Sequence, residues 1–251
     1  MTAYRQAIVV GASSGIGQAI AQALAHGGTQ VALVARRGDD LERVCAAINS
    51  TAGAQLASSY VHDVMQTDDV PALFATITRD LGGLDLIVYA AGIMPKVAPD
   101  EYDTAKDAQT IAINVIGAMA WLNVAAERFA QVRQGTIVGI SSVAGDRGRG
   151  GNPAYTTSKA ALTTYLEALR NRVSKRGVTV VTVKPGYVKT AMLAGERLPR
   201  LPAAITPEKA AELILAAAQQ GRAVTYVPGI WGPIMGVIRA IPSRLFRRLN
   251  L

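Results

Sequence analysis

Cysteine occurs once in this 251-residue chain, at Cys45, and histidine twice, at His26 and His62. A lone cysteine excludes an internal disulfide and a thiolate metal cluster, and fits a reducing compartment. The two histidines stand far apart without ligand spacing, so no metal site is expected. Aromatic residues make up only 5% while hydrophobic ones reach 50%. Small and β-branched side chains therefore dominate, as where buried parallel strands alternate with closely packed helices. The chain opens without a basic segment leading into a long apolar one, and no uncharged apolar run reaches about 18 residues. Neither a signal peptide nor a membrane span is expected, which places the protein in the cytoplasm.

Acidic residues run out before the chain does. From Leu213 to Leu251 there is no aspartate or glutamate, while Arg222, Arg239, Arg244, Arg247 and Arg248 are basic. Much of the formal net charge of +8 is thus a C-terminal feature. No recognisable nucleic-acid module accompanies it, so nucleic acid is not an expected partner.

What is present is an alternation of strands and helices. Apolar residues 7–10 run into GASSGIG at 11–17 and an apolar-periodic helix over 18–25. Strand, glycine turn and helix start form a pyrophosphate site, because the glycines allow close backbone approach and the helix exposes its first amides. Gly11, Ser13, Ser14, Gly15, Ile16 and Gly17 are the expected contacts. A second strand over 31–35 ends in Arg36 and Arg37. Folds that bind NAD place an acidic side chain near this point for the ribose hydroxyls. Two guanidiniums match a 2′-phosphate instead, which favours NADP over NAD.

A third strand over 55–61 precedes Asp63 and Val64. Asp63 either accepts a hydrogen bond from the adenine amino group or serves as a turn residue or helix cap. A fourth strand over 84–90 ends in Ala91 and Gly92, small enough for a flat ring or ribose to lie against the backbone. The helical region 102–132 carries Asn114 in its interior, where propensity disfavours it; such an asparagine is either exposed or held by a specific hydrogen bond.

A fifth strand over 135–140 delivers Ser141 and Ser142. Residues 146–152, with Arg147, Arg149 and several glycines, read as a flexible loop bordering the substrate. Pro153 then opens a helix in which Tyr155 and Lys159 share one face at i, i+4. A lysine cation beside a phenol lowers the phenol's pKa and suits it to acid–base work near neutral pH. Alone the pair would read as surface decoration. A sixth strand over 178–184 closes at Pro185–Gly186, and residues 190–202, with Met192, Leu193, Leu198 and Leu201, form a candidate substrate lid. A helix from Pro207 and a last strand over 223–227 follow.

This order specifies an α/β fold: one doubly wound (Rossmann) domain over 1–227, built on a mostly seven-stranded parallel sheet flanked by helices, with an amphipathic C-terminal tail over 228–251. Its ligands are expected along the carboxyl edge of the strands.

The signals jointly resemble the short-chain dehydrogenase/reductase family: GASSGIG, Asp63–Val64, AAG at 90–92, Asn114, ISS at 140–142, YTTSK at 155–159, and Pro185–Gly186 with Thr190. The resemblance extends to about Val227. It implies a tetrad in which Tyr155 exchanges a proton with the substrate oxygen and Lys159 lowers its pKa and bonds the nicotinamide ribose. Ser142, rather than Ser141, orients that oxygen, and Asn114 holds a water linking Lys159 to solvent. Val188 and Thr190 would contact the nicotinamide carboxamide. The implied protein is an NADP(H)-dependent oxidoreductase for a ketone or secondary alcohol, acting as a homodimer or homotetramer. Its alternatives are a 3-oxoacyl-thioester or a steroid or aromatic ketone as substrate, or a non-catalytic dinucleotide-binding regulator.

Two departures from the family pattern stand near the cofactor. Val10 replaces a threonine, so one stabilising hydrogen bond must be replaced, and Tyr89–Ala90 replace asparagines. The largest departure is the tail, where Trp231, Ile234, Met235, Ile238, Ile241, Leu245 and Phe246 recur at near-helical spacing between arginines. That pattern suits a helix on the inner face of a membrane, a wall over a greasy substrate tunnel, or a dimer contact. With the apolar lid it leans toward a hydrophobic or lipid-linked carbonyl substrate.

Overall fold

The computed structural model describes residues 4–194 and 202–249. Seven strands make one sheet: β1 (Gln6–Val10), β2 (Gln30–Ala35), β3 (Ala57–Val61), β4 (Leu86–Tyr89), β5 (Gly135–Ile140), β6 (Val178–Pro185) and β7 (Val224–Val227). Their order is β3-β2-β1-β4-β5-β6-β7, with every pairing parallel. The helices are α1 (Gly15–His26), α2 (Gly38–Ala52), α3 (Val70–Asp80), α4 (Thr104–Ile111), α5 (Gly117–Val132), α6 (Pro153–Val173) and α7 (Pro207–Gln219), then α8 (Trp231–Ala240) and α9 (Ser243–Phe246) beyond the last strand.

Both faces of the central strands are buried, while the edge strand β3 has only Ala57 buried. Ala7 and Val9 of β1 face a layer made with Ile20 and Leu24 of α1, Leu41 of α2 and Ile214 of α7. Ile8 and Val10 face the other layer, made with Phe74 of α3, Trp121 of α5 and Leu166 of α6. Side chains alternate between faces with period two, and both sets are apolar, so the strands read as unbroken hydrophobic runs. Each fully buried valine, leucine or isoleucine contributes about 1.5–3 kcal/mol.

The strand order reverses at β1, which opens a crevice beyond the carboxyl ends of β1 and β4. The turn into α1 sits there. Gly11 has φ of +90°, and a Cβ on it would lie 2.4 Å from the Ala91 nitrogen, so this approach needs glycine. Val10 supplies no side-chain bond. Backbone bonds pin the turn instead, from Gly11 N to Val34 O at 2.7 Å and from Ala90 N to Val10 O at 2.8 Å.

Three expected boundaries shift, each for a local reason. β3 starts at Ala57 rather than residue 55, because Asn49 Oδ1 takes the Leu56 and Ala57 amides at 2.9 and 2.7 Å. β4 starts at Leu86, because the Asp85 carboxylate turns back to accept from Arg5 N and Gln6 N. The region 102–132 is capped by Asp103, which accepts from Lys106 N at 3.0 Å, and is interrupted by a π-turn over Ala112–Ile116. The combined helix is apolar enough to span a membrane by composition, but half of its most apolar window is buried inside the fold, as a core helix requires.

Candidate active site

The carboxyl edge of the sheet holds a cleft of about 890 Å³. Every residue expected to bind cofactor lines it: the glycine turn at one end, Arg36 and Arg37 after β2, Asp63 and Val64 after β3, Ala91 and Gly92 after β4, and Pro185, Gly186, Val188 and Thr190 after β6. Ser142, Tyr155 and Lys159 line it too. Asn114 is fully buried and is absent from the lining.

The geometry separates the two serines that β5 delivers. Ser141 Oγ donates to Lys159 O at 2.8 Å and lies 2.8 Å from Thr163 Oγ1, which ties β5 to α6. Ser142 caps the 3₁₀ turn Val143–Asp146, its Oγ accepting from Ala144 N at 3.1 Å, and shares a side-chain hydrogen bond with Tyr155. Asn152 caps α6 by accepting from Tyr155 N at 3.0 Å, while its Nδ2 donates to Pro95 O at 2.7 Å. One side chain thus sets the helix start and the loop that follows β4.

Burial governs the electrostatics. It pushes the Tyr155 phenol above its usual range, opposed by the Ser142 hydrogen bond. It pulls Lys159 down to about 8. The sequence predicts a phenol lowered by its lysine, and the structure reverses that sign for the protein alone. Lys159 Nζ sits 5.7 Å from the Tyr155 ring centroid and donates to Ile140 O at 2.9 Å, and the same burial disfavours its own charge.

Asn114 sits in the π-turn with its amide committed. Its Nδ2 donates to Ile93 O at 3.0 Å and Ser158 Oγ at 2.9 Å, and its Oδ1 accepts from Ile93 N at 2.8 Å. Of the two readings open at the sequence, the specific hydrogen-bond role holds. A Cβ on Gly92 would lie 3.2 Å from Asn114 Oδ1 and 3.4 Å from Lys159 Nζ, which places both groups against Gly92. Tyr89, in place of an asparagine, donates to Ile113 O at 2.6 Å and so holds the same π-turn.

At the opposite end, Arg37 Nη2 donates to Ser13 Oγ at 3.1 Å and Ser14 Oγ at 3.0 Å, and its Nη1 pairs with Asp40 at 2.9 Å. Arg36 lies 3.8 Å from Asp63. Asp63 Oδ1 accepts from Met65 N at 3.0 Å, which makes it a turn residue in this structure.

The loop reading of 146–152 needs correction at its first residue. The Asp146 side chain is 2% exposed. It pairs with Lys184 of β6 and accepts from Tyr226 of β7 at 2.6 Å. Burial first, then Asp146, pushes the Tyr226 phenol up to about 12. The turn behind Ser142 is therefore locked to two strands. The tail packs against the same turn: Trp231 and Met235 of α8 bury against Val143, with Tyr187 and Tyr226 alongside. A Cβ on Gly186 would lie 1.8 Å from Trp231 Nε1, so glycine is required there for contact rather than for φ. Among the described residues α8 does not line the cleft; it backs the wall that Val143, Gly186 and Tyr187 form. Of the lid residues, Met192 and Leu193 line the cleft, while Leu198 and Leu201 lie outside the described residues.

The family model for short chain dehydrogenases matches residues 5–200. The chain belongs to the short-chain dehydrogenase family. Members are oxidoreductases of CH–OH and C=O groups that bind a nicotinamide dinucleotide. An uncharacterized oxidoreductase of Myxococcus xanthus is 32% identical over 97% of this chain and 95% of its own length. A 3-oxoacyl-[acyl-carrier-protein] reductase of Bos taurus is 34% identical over 73% of this chain and 76% of its own. Among solved structures, an actinorhodin polyketide ketoreductase with NADPH is similar with TM-score 0.81 and 25% identity, covering 89% of this chain and 95% of its own.

In this short-chain dehydrogenase, sequence reasoning missed the trio Asp146, Lys184 and Tyr226. A signal was present, since a lysine inside the apolar run of β6 is rarely buried unless paired. Its partner, 38 positions earlier, lies beyond any local pattern.

Proposed function

We propose that the protein reduces a ketone, or oxidises the matching secondary alcohol, with NADP(H). The observation that carries this reading is the convergence of Ser142, Tyr155 and Lys159 on one cleft with Arg36 and Arg37 at its far end. When bound, the dinucleotide supplies or accepts the hydride at the substrate carbon. Ser142 holds the substrate oxygen. The Tyr155 hydroxyl gives its proton to that oxygen in reduction and takes it back in oxidation. A phenol raised by burial is fully protonated at neutral pH, the form that reduction uses. Lys159 stabilises the phenolate left behind, and Asn114, beneath it, holds a water path to solvent.

The residues fit the phosphorylated dinucleotide. Arg37 is already directed at the two serines of the phosphate turn, and β2 ends in Ala35 where a ribose-binding carboxylate would repel a 2′-phosphate. Apolar Met94, Val97, Met192 and Leu193 in the cleft support a hydrophobic substrate, and the reductase names of two relatives support a carbonyl one. Exposed Ile230, Val237, Leu245 and Leu249, beside Arg239, Arg244, Arg247 and Arg248, support contact of the tail with an anionic membrane surface. Co-sedimentation with phosphatidylglycerol vesicles, lost in an Arg244→Gln/Arg247→Gln/Arg248→Gln variant, checks that contact.

NADPH fluorescence titration together with turnover of a ketone panel tests the main reading. Tyr155→Phe is expected to lower turnover by about 10²–10⁴-fold with cofactor affinity retained; unchanged turnover overturns the mechanism. Arg37→Ala is expected to weaken NADPH about tenfold or more and leave NADH unchanged.

A further inference from the structure

The cations around Ser142 are matched unequally. Lys159 donates to Ile140 O at 2.9 Å and Lys184 is paired with Asp146. Arg147 gives its Nη1 to Ile238 O and Arg239 O, the last carbonyls of α8, at 3.2 and 2.9 Å, and stacks 4.3 Å over the Phe246 ring. Arg149 lines the cleft, yet its contact is Met235 Sδ at 4.0 Å, and thioether sulfur is a weak acceptor. Its Nε is buried with no partner. A guanidinium presents five donors and no acceptor, and at the Arg149 Nε no protein group meets that donor capacity. No carboxylate compensates it: among the described residues the acid in the cleft lining is Asp63, beyond β3 and beside Arg36. Buried donors in folded proteins are otherwise almost always satisfied.

We infer that Arg149 is the recognition site for an anionic group, a carboxylate or phosphate, carried by the substrate away from its carbonyl. Both oxyanions match the planar guanidinium fork in two-point geometry. Arg147 is positioned to hold α8 in place, and Met235 of α8 in turn contacts Arg149 Nη2 at the cleft wall. With Met94, Val97, Met192 and Leu193 on the same lining, the substrate class is an amphiphilic ketone with an apolar segment and an anionic end. This rests on the reading that places the carbonyl at Tyr155.

The test compares a homologous series of oxo-carboxylates with their neutral methyl esters and with ketone phosphate monoesters. Each is titrated calorimetrically into the NADPH-loaded protein and assayed for turnover. Wild type is expected to bind the anionic ketones about tenfold or more tightly than the esters. The preference should lie in KM rather than kcat, and the monoester arm distinguishes phosphate from carboxylate. Arg149→Met should abolish the preference, so that acid and ester bind alike, and Arg149→Lys should restore part of it. Equal binding of acid and ester by wild type, or a preference that survives Arg149→Met, overturns the inference. Arg149-dependent binding without turnover of any ketone would instead overturn the catalytic reading and leave the anion site standing.

Discussion

Lys159 and Lys184 are both nearly buried, at 5% and 7% exposure, and lie on either side of the turn that starts at Ser142. Lys184 has a carboxylate, Asp146, and that carboxylate has a second donor in Tyr226. Lys159 has a backbone carbonyl and the ring of a phenol, its centroid 5.7 Å away. The first arrangement is a strut, tying the turn to β6 and β7. The second is a charge held at a cost, with its pKa drawn down to about 8, close to where proton traffic occurs. The same residue type, on a helix in one case and on a strand in the other, is a paired strut where a carboxylate answers it and an ammonium with a lowered pKa where none does.

Exchanging each lysine for methionine, which keeps the apolar stem, breaks the comparison most directly. Lys159→Met is expected to lower ketone turnover by about 10²–10⁴-fold in an NADPH absorbance assay. Lys184→Met is expected to lose about 3–5 kcal/mol of stability in urea titration, because Asp146 is left buried without its cation. An Asp146→Asn/Lys184→Met double variant should recover much of that loss; additive losses would show that the pair does not act as a unit.

Stability against pH sharpens the contrast. Lys159 is lowered from 10.5 to about 8, so between those values the unfolded chain binds a proton that the folded protein does not. The Lys159 contribution to stability therefore rises with pH across that window, by about 3 kcal/mol in all. Below about pH 8 the full cost of the buried ammonium remains. Urea titrations of wild type and Lys159→Met at neutral and alkaline pH should differ by that rise, with the variant the more stable at pH 7. Equal pH dependence would refute the assignment. The smallest effect is expected from Tyr226→Phe, about 1–2 kcal/mol for one hydrogen bond to a buried carboxylate.

The end of the cleft read as a cofactor site was legible because each of its lining residues comes from a contiguous motif at a strand end. GASSGIG, Arg36–Arg37, Ala91–Gly92 and Pro185–Gly186 lie where alternation puts them. The preference for Ser142 over Ser141 came from resemblance, and its reason appears only in space: Ser141 is used up on Lys159 O and Thr163. Asn114 shows the same limit. Its place inside an apolar helix signalled a special role, but its partners Ile93 and Ser158 lie 21 and 44 positions away. The tail was legible as an amphipathic helix. That its first helix backs the wall at Gly186 and Tyr187 depended on Trp231 meeting a residue without a Cβ.

The sequence by itself determined the parallel sheet and the position of the glycine turn. Both follow from periodicity and short motifs, which act through neighbours along the chain. Tertiary structure decided the direction in which burial shifts Lys159 and Tyr155, the locking of the turn behind Ser142, and the unpartnered Nε of Arg149. Those depend on burial and on which distant group faces which. Desolvation and pairing are set by three-dimensional neighbours, not by spacing along the chain.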